Sequence, residues 1–187
     1  METRQIQRRR RWHGVVTGFF LAALAPAVLA QTDIEAALND YDSGKYTEAA
    51  PAMQSLARAG NAVAQYKLSI MHFYGHGVAE DESEAMVWAQ RAAAQGDVDA
   101  MFFIGTMYVF GDTVHQTVDD PDVEAAKWFF QAASRGHADA EYSLGLLFLA
   151  GKGVTQSQEE ALKWIGRAAE HGHASARDFL AGHRGGH

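Results

Sequence analysis

The sequence predicts an all-α protein, a right-handed superhelical solenoid of about four and a half stacked antiparallel helix pairs. Tryptophan recurs at Trp88, Trp128 and Trp164, at intervals of 40 and 36 residues. Glycine (60, 96, 136, 172) and alanine (64, 100, 140, 176) recur with spacings of 36, 40 and 36. Helix pairs repeated with such a period cannot bury their apolar faces alone, so they must stack on their neighbours.

The first 30 residues differ from the rest of the chain. Arg4 and the run Arg8–Arg11 form a basic head, a 16-residue apolar stretch follows, and small residues end it at Ala30. This pattern is typical of a secretory signal peptide, and the apolar stretch is shorter than the roughly 20 residues of a membrane-spanning helix. We expect cleavage after Ala30 and a periplasmic or secreted protein; an uncleaved membrane anchor is the alternative.

Residues 31–187, the predicted repeat domain, are strongly acidic. Residues 1–30 hold five of the 16 basic and one of the 23 acidic residues, which leaves 11 basic and 22 acidic and a net charge of −11 with neutral histidines. Such a surface disfavours nucleic acid and, once the signal peptide is removed, anionic membranes. The chain has no cysteine, so packing alone must hold an exported domain together.

The first helix of each pair is predicted from its apolar spacing. Ala64, Leu68 and Met71 stand at i, i+4 and i+7, which places them on one helical face. The pairs are expected at about 33–60, 61–96, 97–136 and 137–172, followed by a terminal helix at 173–182 and a flexible tail at 183–187.

The second helices are predicted from their ends. Asp81 and Ser157, each followed three residues later by Glu, have capping-box spacing, and Asp120 precedes a proline that suits a first helical position. Alanines flanking the repeated tryptophans form the expected buried stripe. The column glycines then end these helices, because glycine adopts the left-handed conformation without a Cβ penalty.

The interval from the turn glycine to the tryptophan is 17 residues in the middle repeat and 13 in the other two, and the four extra residues fall within Val114–Asp122, VHQTVDDPD. Its histidine and three aspartates raise the alternative of a calcium or other metal site. Carboxylates are favourable at a helix N-terminus, however, and insertions in repeat proteins map to surface loops. We therefore expect an elaborated loop joining two helices, with partner contact as an open alternative.

These columns resemble the Sel1-like repeat family, which is related to the tetratricopeptide repeats. The resemblance lies in Ala-x-x-x-Leu-Gly, then Gly-x-Gly-Val, then Ala-x-x-Trp-x-x-x-Ala-Ala-x-x-Gly. The third unit fits best, with Leu144-Gly145, Gly151–Val154 and Trp164, whereas Asp112 and Thr113 depart from the pattern in the second. The resemblance covers nearly all of residues 33–182 and implies a protein that binds other proteins, without naming the partner.

Enzyme and metal motifs are weakly represented. AGKGV lacks the serine or threonine of a phosphate loop, and neither Ser-x-x-Lys nor Gly-x-Ser-x-Gly occurs. His72 and His76 lack a placed acidic third ligand, and His137 and His173 follow helix-ending glycines, which favours a structural role. We therefore expect no catalytic residues, metal or cofactor. A cell-envelope enzyme of the β-lactamase or penicillin-binding type is the rival, although the Sel1-like proteins so described are rich in cysteine.

A second apolar face on the first helices is the candidate binding site. In tetratricopeptide-like solenoids the equivalent face lines a concave groove for a partner, and burial between neighbouring helices is the alternative interpretation. We expect an exported, non-catalytic interaction module, a scaffold or regulator of an envelope or signalling complex, with a secreted host-interaction factor as a further alternative. The predicted groove residues are Tyr66, Ile70, Phe73, Tyr74, Phe102, Val109, Phe110, Tyr142, Leu146 and Leu149.

Overall fold

The computed structural model describes residues 24–184, and every regular element in this range is helical, as predicted. The head of the predicted signal peptide lies outside the described residues, and the proposed cleavage site falls within the first helix. No helix in residues 24–184 is long and apolar enough to cross a membrane. The helices are α1 (Leu24–Asp42), α2 (Tyr46–Arg58), α3 (Ala62–Tyr74), α4 (Glu82–Ala94), α5 (Val98–Phe110), a 3-10 turn (Val114–Thr117), α6 (Pro121–Ala133), α7 (Ala138–Ala150), α8 (Gln158–Glu170) and α9 (Ala174–Arg184).

The first helix of each repeat begins at a side-chain cap in one repeating column. Asn61, Asp97, His137 and His173 each accept a hydrogen bond from the backbone N–H three residues later, at 2.8 to 3.2 Å. The second helices begin in the same way at Asp81, Asp120 and Ser157. The sequence predicted the caps of the second helices, and the two histidines prove to be caps as well.

The core lies between successive helices, where alanines allow close approach. Ala85, Ala125 and Ala161 are fully buried, and the rings of Trp88 and Trp164 are nearly so. The prediction of an equally buried Trp128 is wrong: its ring is only partly buried, and the adjacent Phe129 fills the core instead. Phe129 packs against Gly105, where a Cβ would stand 2.6 Å from its ring.

The turns inside the repeats depend on the Gly-x-Gly pair. Gly151 is left-handed, with a φ of 67°, and ends α7. Gly153 is left-handed as well and lies against the backbone of the preceding repeat, so that a Cβ there would overlap the carbonyl oxygen of Asp122. The second glycine is therefore the contact point at which one repeat rests on the next.

The four-residue insertion replaces this turn with an ordered loop. Gly111 is extended, with φ −73° and ψ 143°, rather than left-handed. The carboxylate of Glu82 then accepts hydrogen bonds from the backbone N–H groups of Asp112, Thr113 and Val114 and from the Thr113 hydroxyl. Asp120 caps α6 within this loop, as predicted. The insertion is thus fastened to the start of α4 by one carboxylate.

Candidate interaction groove

The first helices α3, α5 and α7 present corresponding faces in successive repeats. Residues at i, i+3, i+7 and i+11 of a helix share one side. We call the resulting surface the groove face. It consists of Val63, Tyr66, Ile70 and Tyr74 on α3, Asp99, Phe102, Thr106 and Phe110 on α5, and Asp139, Tyr142, Leu146 and Ala150 on α7.

Exposed apolar side chains concentrate on this face. Among the described residues, six large apolar side chains are exposed, and four of them belong to the groove face: Val63, Tyr74, Phe110 and Leu146. Phe110 is the most exposed, at 73%. Isolated exposed apolar residues are ordinary, but a shared face of them indicates an interaction site.

The remaining predicted groove residues also contribute to the core. Seven are partly buried. Five of these pack against the central core and two against the C-terminal cluster. Burial between neighbouring helices, the alternative interpretation, therefore accounts for part of the surface of each of these side chains. Four of them lie on the groove face as its floor, whereas the other three lie beside it, and partner binding there stays a prediction. The seven are Tyr66, Ile70, Phe73, Phe102 and Val109 in the first group and Tyr142 and Leu149 in the second.

Two equivalent arrangements of a histidine, an aromatic ring and an aspartate lie at the helix starts along the groove face. The His137 ring stacks on Phe102 at 4.6 Å, and its Nε2 lies 3.3 Å from Asp99. The His173 ring stacks on Tyr142 at 4.3 Å, and its Nε2 lies 3.4 Å from Asp139. Because Nδ1 of each ring accepts a backbone N–H, Nε2 carries the proton and points it at the carboxylate.

The sequence analysis missed five members of this face, the small residues Thr106 and Ala150 farther along the helices and, in their first turns, Val63, Asp99 and Asp139. The available signal for the last three was helical spacing, because each residue stands three positions before Tyr66, Phe102 or Tyr142. A search for apolar residues alone passed over the two carboxylates.

The groove face is electrostatically negative at the start of the helices. Burial, and then the carboxylates of Asp99 and Asp97, raise the pKa of Tyr66. Burial is also the main cause that raises the pKa of Asp97, and the charge of Asp99 adds to it. The charge of Lys67 opposes this rise in the pKa of Asp97, which shows that a cationic group is favourable beside these carboxylates.

The structure brings few reactive groups together elsewhere. Among the described residues no group of three or more histidine, aspartate or glutamate side chains could hold a metal. Nδ1 of His72 lies 3.2 Å from the Ala79 carbonyl, while the His76 ring stacks at 4.3 Å on Tyr46. His72 therefore holds the turn that follows α3, and His76 packs on a tyrosine ring.

The buried carboxylate of Glu141 is the main charged group of the interior. It is fully buried, 2.9 Å from the guanidinium of Arg167 and 2.7 Å from Nδ1 of His171. Arg167 also donates to the Ala133 carbonyl and lies over the ring of Trp164. This network joins α6, α7 and α8, and its position within the helix stack gives it a structural role.

A second apolar cleft lies on another side of the repeats, between α6, α7 and the turn after α7. Its volume is about 540 Å³, and its lining includes Phe130, Leu144, Phe148 and Val154. Phe130 is 53% exposed and contacts Trp164 edge-on. This cleft belongs to one junction, whereas the groove face continues over three helices.

The stacked pairs and the shared groove face define an α-solenoid repeat protein. A family model for the Sel1 repeat matches three consecutive segments, residues 62–97, 98–137 and 138–173. The chain therefore belongs to the Sel1 repeat family. Proteins of this family are generally protein-interaction scaffolds and are typically non-catalytic.

Solved structures agree with this assignment. The chain is 34% identical to a Sel1 repeat protein from Oxalobacter formigenes, with a TM-score of 0.66 and coverage of 79% of this chain and 57% of that one. It is 28% identical to c5321, a protective antigen of uropathogenic Escherichia coli with an SLR fold, at a TM-score of 0.72 and coverage of 86% and 34%. Cysteine-rich protein B of Helicobacter pylori shares the fold at 18% identity and a TM-score of 0.54, with coverage of 72% and 94%. No curated protein matches the chain.

Proposed function

We propose that the protein is an exported, non-catalytic interaction module that binds a segment of a partner protein along the groove face. The observation that carries the proposal is the grouping of four of the six exposed large apolar side chains on this face. The partly buried rings of Tyr66, Phe102 and Tyr142 on the same face are already fixed by packing against the core. Binding therefore loses little side-chain entropy there, which favours affinity. The acidic surface around the face selects against anionic partners.

The setting proposed for this activity is the cell envelope or the outside of the cell. The N-terminal pattern of a basic head, a 16-residue apolar stretch and small residues supports export, with processing after Ala30. The proposed task is assembly or regulation of an envelope or signalling complex. Fractionation of producing cells and N-terminal sequencing test this part, and a mature chain beginning at Gln31 is the expected result.

The groove is tested by cross-linking in producing cells followed by mass spectrometry. The double variant Y74D/F110D places two charges on the groove face, whereas V87D/F130D places two charges at the remaining exposed large apolar positions. We expect the amount of cross-linked partner to fall at least tenfold with the groove variant and to stay at the wild-type level with the control. Helical circular dichroism must be unchanged in both. Equal capture by all three proteins would contradict the proposed groove.

A further inference from the structure

We propose that the segment bound on the groove face is extended and carries two basic side chains three residues apart, which pair with Asp99 and Asp139. The inference rests on the proposed function and names the chemistry of its partner. It concerns the two thirds of the groove face that lie on α5 and α7.

The two aspartates are held ready for a cationic group. Asp99 and Asp139 occupy the same position in consecutive repeats, and their side chains are 65% and 61% exposed. In the described part of the chain, neither has a lysine or arginine nitrogen within 4.0 Å, and each lies beside a histidine Nε2–H. One hydrogen bond fixes each carboxylate and leaves acceptor capacity facing solvent.

The spacing of the two carboxylates suits an extended chain. The starts of α5 and α7 lie side by side, because His137, the cap of α7, contacts Asp99 and Phe102 of α5. Side-chain contact of this kind corresponds to the upper end of the spacing of packed helices, about 10 Å. An extended peptide advances about 3.3 Å per residue, so side chains three residues apart are separated by about 10 Å. Equivalent positions on α5 and α7 therefore match a basic residue at every third position.

The apolar residues next to the aspartates complete the site. Phe102 and Tyr142 each follow an aspartate by one helical turn, and Phe110 and Leu146 lie farther along the same face. The aliphatic stem of a lysine or arginine can lie on such apolar surface while its charged end reaches the carboxylate. The first repeat differs, since Val63 replaces the aspartate there. Two repeats can therefore bind basic residues of the partner segment, and all three can bind its apolar residues.

The test is selection from a random 12-residue peptide library displayed on phage, using the full chain as the target. Two variants are panned in parallel: D99N/D139N, and the charge-matched control E159Q/E170Q, which changes two exposed carboxylates of α8. Asparagine can still accept the histidine N–H, so the caps are preserved. Synthetic peptides from the selection are then measured by calorimetry at two salt concentrations.

We expect wild type and control to enrich peptides with an apolar residue and two lysines or arginines three positions apart. D99N/D139N is expected to retain the apolar preference, to lose the basic pair and to bind the best peptide about three- to thirtyfold more weakly, as two partly exposed ion pairs imply. Higher salt should weaken wild-type binding more than binding by D99N/D139N.

Other outcomes separate the two proposals. Enrichment of apolar peptides without a basic pair, or with a basic pair that D99N/D139N also selects, would overturn the inference and leave the groove intact. Failure to enrich any peptide, or enrichment that Y74D/F110D does not reduce, would overturn the proposed function and the inference together. Sedimentation of a dimer that D99N/D139N dissociates would overturn the inference, because the occupant would then be a second copy of this chain.

Discussion

Replacing Gly153 by alanine tests how the repeats rest on one another. Gly153 combines a left-handed backbone, with a φ of 64°, with direct contact to the preceding repeat. A Cβ there would overlap the Asp122 carbonyl oxygen and stand 2.6 Å from the Val123 nitrogen. Because backbone rather than a flexible side chain is in the way, relief requires the start of α6 to move.

The magnitude has two parts, and Gly44 separates them. Gly44 is also left-handed, with a φ of 74°, but a Cβ there would meet nothing within 4 Å. Gly44→Ala is therefore expected to cost only the backbone strain, about 1–2 kcal/mol. Gly153→Ala adds a packing conflict of about 1–3 kcal/mol, for a total of about 2–5 kcal/mol.

Urea unfolding followed by circular dichroism at 222 nm measures both variants. The difference between them should be at least 1 kcal/mol, with Gly153→Ala the less stable. A solenoid can unfold in stages, so fluorescence of the tryptophans provides a second probe of the same transition. Equal destabilisation by the two substitutions would refute the argument that close contact between repeats makes Gly153 necessary.

Three further variants test individual polar contacts. Glu82→Gln should cost about 1–2 kcal/mol, because a charged acceptor of four hydrogen bonds becomes neutral. Burial alone would raise the pKa of Glu82, but these hydrogen bonds outweigh it and lower the pKa below 4.5. The stabilisation is therefore present above the unfolded-state pKa and is lost as the pH falls through the folded-state pKa. Wild type should consequently lose more free energy of unfolding than Glu82→Gln between pH 6 and pH 3. Parallel pH profiles of the two proteins would contradict this. Arg167→Ala leaves the fully buried Glu141 without its guanidinium and should cost about 3–5 kcal/mol, more than Glu141→Gln in the same urea titration. His137→Ala should cost about 1 kcal/mol through loss of a cap, whereas His137→Asn, which restores the residue type found at Asn61, should cost less than half of that in thermal unfolding.

Much of the fold could be predicted because its determinants repeat. A cap, a core alanine and a helix-ending glycine recur every 36 or 40 residues. The cap and the glycine each determine the conformation of only a few neighbouring residues. Local determinants of this kind are readable from sequence spacing. The four-residue insertion was located in the same way, since it interrupts an otherwise constant interval.

Contacts between repeats could not be predicted in the same way. Glu82 and Thr113 are 31 residues apart and meet only because α4 and the inserted loop become neighbours. Trp128 occupies the same column as Trp164, yet Phe129 takes the core position beside Gly105. On the groove face, Asp99 gains its significance from the His137 ring of the following repeat. Such pairings depend on the folded stack.

The cap column has a consequence for how such a protein can diverge. An amide at Asn61, a carboxylate at Asp97 and imidazoles at His137 and His173 all accept the backbone hydrogen bond at the start of a first helix. The helix requires only an acceptor atom, so the charge and shape of the residue remain free to vary. Each repeat can therefore acquire a different polar character at the edge of the groove without any change in the scaffold beneath it. Selection for a new partner and selection for stability act on different properties of the same four residues.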